Sequence, residues 1–205
     1  MLNKFTKMTE AELSTEDKIL LAASKVFTEK GYSGTRTRDI AEEAGINLAL
    51  LNYYFRTKEK LFEQVMKVKM LLLFGQIIPI LSDEKTSLDE KIDLAAAKYF
   101  DILIKNPNLP LFVLSEIQKK TSDIKSIIPF ERVLRNSFIM KQIQERKPDL
   151  NPFHFLLNFV SMTVFPFLGK PILRTFDLMD EEEFLEFVEE RKTLVPVWIK
   201  LILNN

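Results

Sequence analysis

The stretch Arg38–Phe62, RDIAEEAGINLALLNYYFRTKEKLF, sets a glycine between two short apolar-periodic segments and closes the second with paired tyrosines and basic residues. Ile40, Ala41 and Ala44 form the inner stripe of one helix, running from about Arg36 to Ala44 with Thr35 as its expected cap. Gly45 suits the left-handed position just past the helix end, where a residue without Cβ adopts positive φ freely. Asn47 then caps a further helix that runs to about Phe55. Two short helices joined by a tight turn match the helix-turn-helix plan, whose second helix enters a DNA major groove. Leu51 and Phe55, four apart, face back onto Ile40 and Phe27. That leaves Asn47, Leu48, Ala49, Asn52, Tyr53 and part of Tyr54 facing outward.

An outward apolar and aromatic patch on a small helix marks a partner surface. On double-stranded DNA, Leu48 and Ala49 suit thymine methyl groups and Asn52 suits the N6/N7 edge of adenine. Thr35, Arg36, Thr37 and Arg38 crowd the start of one helix, and Thr57 and Lys58 start the next. Free backbone N–H groups there favour phosphate. Arg38 has two available partners, a phosphate or Glu42 one turn along.

Working outward, the chain reads as nearly all helix: it has five glycines and no sustained period-two run of β-branched residues. A first helix begins at Ser14 or Thr15 and ends at Gly31, and a fourth starts at Lys58 and continues towards Leu81. Ser87 and Glu90 form a capping box for a helix that stops before Asn106-Pro107. Further helices are expected over Leu111–Lys119, Ile124–Arg146, Pro152–Leu168 and Glu181–Leu203. Short, turn-punctuated helices give way to long Phe-rich ones between Met66 and Leu72, which divides the chain into domains 1–66 and 67–205.

The 205 residues carry 29 basic and 29 acidic side chains, so any nucleic-acid site is local rather than a polycationic coat. Cysteine is absent, which excludes thiolate chemistry and suits a cytoplasmic location. The polar opening residues hold no secretory signal. Phe153–Leu173 is apolar enough to resemble a membrane span, but His154, Asn158 and Pro166 interrupt it, and it reads as a helix buried in protein. The single histidine, His154, has no carboxylate partners from which to build a metal site. With no phosphate loop, metal cluster or activated nucleophile, neither enzymatic activity nor a cofactor is expected.

The segment from Thr15 to Val65 resembles the DNA-binding domain of the TetR family of transcriptional repressors. Phe27, Gly31-Tyr32, Thr35, Ile40-Ala41, Ala44-Gly45, Leu51, Tyr54-Phe55, Lys58 and Leu61 stand where that pattern places them. The resemblance implies an all-α protein: an N-terminal helix-turn-helix domain followed by a larger helical domain for effector binding and dimerisation. It also implies DNA contacts from Thr35, Asn47, Tyr53, Tyr54 and Lys58. Leu48, Ala49 and Leu50 depart from the basic-Gly-Thr pattern frequent in the family, and Asn52 stands where an aromatic is common, so base readout should differ. The implied function is a homodimeric, ligand-responsive repressor on a palindromic operator. An apolar effector would be lined by Phe100, Phe112, Phe138 and Phe159. The dimer interface would draw on Phe155, Phe159, Phe184, Phe187, Val197, Trp198 and Leu201. The competing reading is a helical adaptor whose Leu48–Tyr53 patch docks on another protein.

Overall fold

The computed structural model describes residues 13–118, 135 and 137–204, and ten α-helices occur among them. In chain order they are α1 (Thr15–Gly34), α2 (Thr37–Glu43), α3 (Leu48–Tyr54), α4 (Lys58–Phe74), α5 (Ile77–Ser82), α6 (Leu88–Lys105), α7 (Leu109–Gln118), α8 (Phe138–Arg146), α9 (Pro152–Thr175) and α10 (Glu181–Asn204). They belong to two compact units. The first comprises the described residues up to Leu72 together with those from Phe112 to Gln118, and the second comprises Leu73–Leu111 and the described residues after the gap.

In the first unit, Ser14 Oγ caps α1 by accepting from Asp17 N at 3.1 Å. Regular helix stops at Gly31, which takes φ 68°. One face of α1, with Ile19, Ala23, Val26 and Phe27, is buried. Phe27 and Tyr32 both meet Phe62 of α4, at 4.9 and 4.8 Å between ring centres, and Phe112 of α7 lies 6.3 Å from Phe62. Phe112, expected in an effector pocket, is therefore part of the aromatic core beneath α1 and α4.

The second unit packs α10 against α6 and α9, with α8 against α5, α6 and α9. The Ser87–Glu90 capping box opens α6 as expected. Beside it Lys91 is fully buried, its ammonium donating to Thr86 O and Thr86 Oγ1, both at 2.7 Å, and lying 5.2 Å from the Phe138 ring. Gln142 of α8 donates to the same Thr86 carbonyl. Burial pushes the Lys91 ammonium below its usual pKa.

Several expectations need correction. The fourth helix stops at Phe74 rather than near Leu81, because Gly75 follows and Pro79 of α5 cannot donate to the Gly75 carbonyl. Of the helix expected over Ile124–Arg146, the described part is α8, and residues 124–134 lie outside the described residues. α9 runs through Pro166 and Pro171 to Thr175 instead of ending at Leu168. Pro166 leaves the Met162 carbonyl without its intrahelical donor, and Arg191 Nη2 of α10 supplies one at 2.9 Å. Phe155, Phe159 and Phe184 are buried within their own unit and cannot form an outer interface. The outward stripe of α9 is instead Phe153, Leu157, Val160, Phe165 and Ile172. On a helix apolar all round, periodicity does not say which face turns inward. α9 is long and apolar enough to cross a membrane by length and composition, with only 33% of its most apolar window buried.

Phe62→Ala removes the ring that Phe27, Tyr32 and Phe112 share. It should destabilise the first unit by about 3–5 kcal/mol, read as a lower urea midpoint by circular dichroism.

Candidate nucleic-acid interface

The turn between α2 and α3 is closed by backbone bonds. Ile46 N donates to Ala41 O at 3.0 Å and Gly45 N to Glu42 O at 3.1 Å, the paired pattern of a Schellman cap, with Gly45 at φ 65°. Nothing approaches within 4 Å of where a Gly45 Cβ would stand, so the requirement for glycine is the dihedral and not space. Asn47 Oδ1 accepts from Leu50 N at 2.8 Å and starts α3. On the inner side of α3 lie Leu51 and, just beyond its end, Phe55, both buried.

The outer side carries Ala49, Asn52, Tyr53 and Tyr54, all exposed; Tyr53 reaches 80% exposure. The two tyrosines sit edge-on at 5.4 Å. Leu48 is half-buried, and the neighbouring Leu50 is 36% exposed. Asn47 remains exposed, although its side-chain oxygen is already engaged in the cap. Arg38 is exposed and forms no ion pair with Glu42 or any other acid among the described residues.

Two positions behave differently from expectation. Thr35 is buried, and its hydroxyl donates to Gly31 O at 2.7 Å, so it neither caps α2 nor reaches a phosphate through its side chain. The cap of α2 comes from Asp39, whose carboxylate accepts from Arg36 N at 3.2 Å and pairs with Lys30 of α1 at 3.1 Å. Lys58 points its ammonium inward, donating to Tyr32 O at 2.8 Å and Thr35 O at 2.9 Å, 4.2 Å from the Tyr32 ring centre. It ties the start of α4 to the end of α1. At the α4 terminus, Thr57 Oγ1 accepts from Lys60 N.

The Lys58–Tyr32 clasp and the Lys30–Asp39 and Lys25–Glu43 pairs escaped the sequence reading. A lysine and an aromatic 26 positions apart carry no local pattern. The ion pairs are exposed and hold α2 to α1 weakly.

The Arg36 backbone bond, reinforced by Lys30, holds the Asp39 carboxyl below the usual carboxylate range. The stabilisation it brings is complete above the ordinary aspartate pKa and is lost as pH falls through the lowered value. The Arg36 amide resonance, followed by NMR, should titrate below the normal aspartate range. Lys58→Ala should destabilise the DNA-free protein by about 1–3 kcal/mol, read as a lower unfolding midpoint, since two carbonyls lose their donor. A lysine serving phosphate alone would leave that midpoint unchanged.

Residues 19–65 match the family model described as bacterial regulatory proteins, tetR family. The probable HTH-type transcriptional regulator YttP of Bacillus subtilis (strain 168) is 25% identical, over 95% of this chain and 96% of its own length. The fold is similar to that of a putative transcriptional regulator from Streptomyces coelicolor, with TM-score 0.67 and 17% identity over 92% of this chain and 98% of that one. It is also similar to the Bacillus subtilis regulator FadR in complex with stearoyl-CoA, with TM-score 0.60 and 20% identity over 87% and 96% of the two chains. Residues 19–65 are thus a DNA-binding domain of the tetR type, and over its full length the chain is similar to helix-turn-helix transcriptional regulators.

Proposed function

We propose that the protein is a cytoplasmic homodimeric repressor that holds an inverted-repeat operator and releases it on binding an apolar small molecule. The observation that carries this reading is α3: Leu51 anchors it while Asn52, Tyr53 and Tyr54 stay free on its outer side. A major groove about 12 Å wide admits one such helix. Asn52 offers the amide that pairs bidentately with adenine, Ala49 and the exposed edge of Leu48 meet thymine methyls, and the tyrosines and Arg38 lie towards the phosphates. The ammonium of Lys58 being engaged, position 58 contributes to phosphate binding through its backbone N–H at the start of α4.

Dimerisation rests on the outward faces of α9 and α10. Leu157, Phe165, Val197 and Leu201 are each more than half exposed, with Trp198 at 36% and Phe187 half-buried beside them. An apolar face of this extent calls for a permanent cover. A twofold dimer presents two reading helices to half-sites about one helical turn apart or somewhat more. The effector would lie in the second unit, near buried Phe100 and Phe159 and half-buried Phe138. The stearoyl-CoA held by the FadR relative makes long-chain acyl thioesters the first class to try. Effector binding would change the separation of the reading helices through α4 and so favour the state that fits DNA poorly.

Selection of bound fragments from random duplex DNA should return an inverted repeat, and affinity for it should fall steeply as salt rises. Failure to enrich any sequence, or binding indifferent to salt, would overturn the proposal. Asn52→Ala should relax preference at one base position in each half-site, at a cost of about 1–3 kcal/mol. An unchanged preference profile would remove the adenine assignment.

A further inference from the structure

Glu190, Leu194, Val197 and Leu201 follow one another at spacings of four, three and four along α10 and form a single ridge. The three apolar members are 40%, 53% and 51% exposed. Glu190, also exposed, interrupts this ridge with a carboxylate that forms no ion pair among the described residues. Along the adjoining ridge lie Phe187, Arg191 and Trp198. The Arg191 guanidinium sits between the two rings, 5.4 Å from one centre and 5.2 Å from the other.

Arg191 is incompletely satisfied. Nη2 donates to Met162 O, Nε–H is buried without an acceptor, and no carboxylate among the described residues pairs with the charge. Burial lowers its pKa, which marks a cation short of compensation. On the same helix Leu194 is exposed, and on α9, whose Met162 O the guanidinium meets, Val160 and Phe165 are exposed.

Any partner covering this face takes Glu190 and Arg191 out of water together, which is tolerable only if both charges are met. On adjoining ridges of the same helix the face sets the acid Glu190 beside the base Arg191, with Glu186, also exposed, one turn before Glu190. Under a twofold axis such a face complements itself, because each contact made by one copy is returned by the other.

We propose that in the homodimer Arg191 of each subunit pairs with Glu190 of the other, so that two reciprocal ion pairs set the register in which the α10 helices cross. This rests on the dimer reading given above. The guanidinium is preorganised for the role: it lies close to the Phe187 and Trp198 rings with Nη2 donating to Met162 O, while the residue stays part-exposed. The apolar ridge supplies adhesion, and the pairs exclude slipped registers in which a charge would be buried alone.

The test uses the full-length chain and sedimentation equilibrium. If the wild-type protein is a monomer throughout the micromolar range, the dimer reading fails and the pair fails with it. Given a wild-type dimer, Glu190→Arg should weaken association about tenfold or more by setting like charges together. Arg191→Glu should do the same, and the double reversal should recover most of the loss. A Glu190→Arg dimer as tight as wild type, or a double variant no better than the product of the single losses, would overturn the pairing and leave the dimer standing. Because Arg191→Glu also removes the bond to Met162 and can impair folding, a second measurement avoids that position. The chain has no cysteine, so Glu190→Cys takes a single pyrene label. Excimer fluorescence that appears with dimerisation supports the proposal, and its absence in a proven dimer overturns it.

Discussion

A helix of seven residues has no stability of its own in water, and everything that makes this protein a reader of DNA follows from that constraint. α3 exists because its inner residues are buried, because Asn47 closes its first turn, and because Gly45 turns the chain through a dihedral that other residues adopt only at a cost. The core behind it is aromatic, Phe27, Tyr32, Phe62 and Phe112 meeting around one point. Lys58 then fastens the end of α1 to the start of α4 on the rim of that core. The exposed edge of α3 is free for recognition because none of its outer side chains is needed for support.

In the second unit the difficulty is reversed. α9 and α10 are long, apolar on more than one face, and interrupted by prolines that remove backbone donors. The break at Pro166 is tolerated because a guanidinium on the neighbouring helix takes the place of the missing N–H. The same residue brings a charge to the edge of an apolar face, so one side chain repairs its own subunit and, in the proposed dimer, constrains the other.

The first unit was largely legible in the sequence because its signals are local. Ser14, Asn47 and Thr57 act as caps within a few residues of where they stand, Gly45 ends α2 as its position implied, and Leu51 and Phe55 turn inward. Thr35 misled because a threonine before a helix resembles a cap, while this hydroxyl is held by the Gly31 carbonyl. Lys58 sits at a helix start, as phosphate-binding lysines do, but its partners arrive from far along the chain. In the second unit the existence of α9 and α10 was legible and their orientation was not, so Phe155 and Phe184 were assigned outward when they point inward. Val197, Trp198 and Leu201, on the other long helix, are exposed as expected.

The polar turn SDEKTS before α6 looks like an ordinary solvent loop, yet one of its carbonyls is gripped from two helices at once, by Lys91 and by Gln142. An amine that is fully enclosed is out of reach of the acylating reagents that find surface lysines. Lys91 thus works as an internal clock for the unit around it: its nitrogen takes up such a label only in molecules whose α6–α8 packing has opened, and the rate of uptake measures how often that happens.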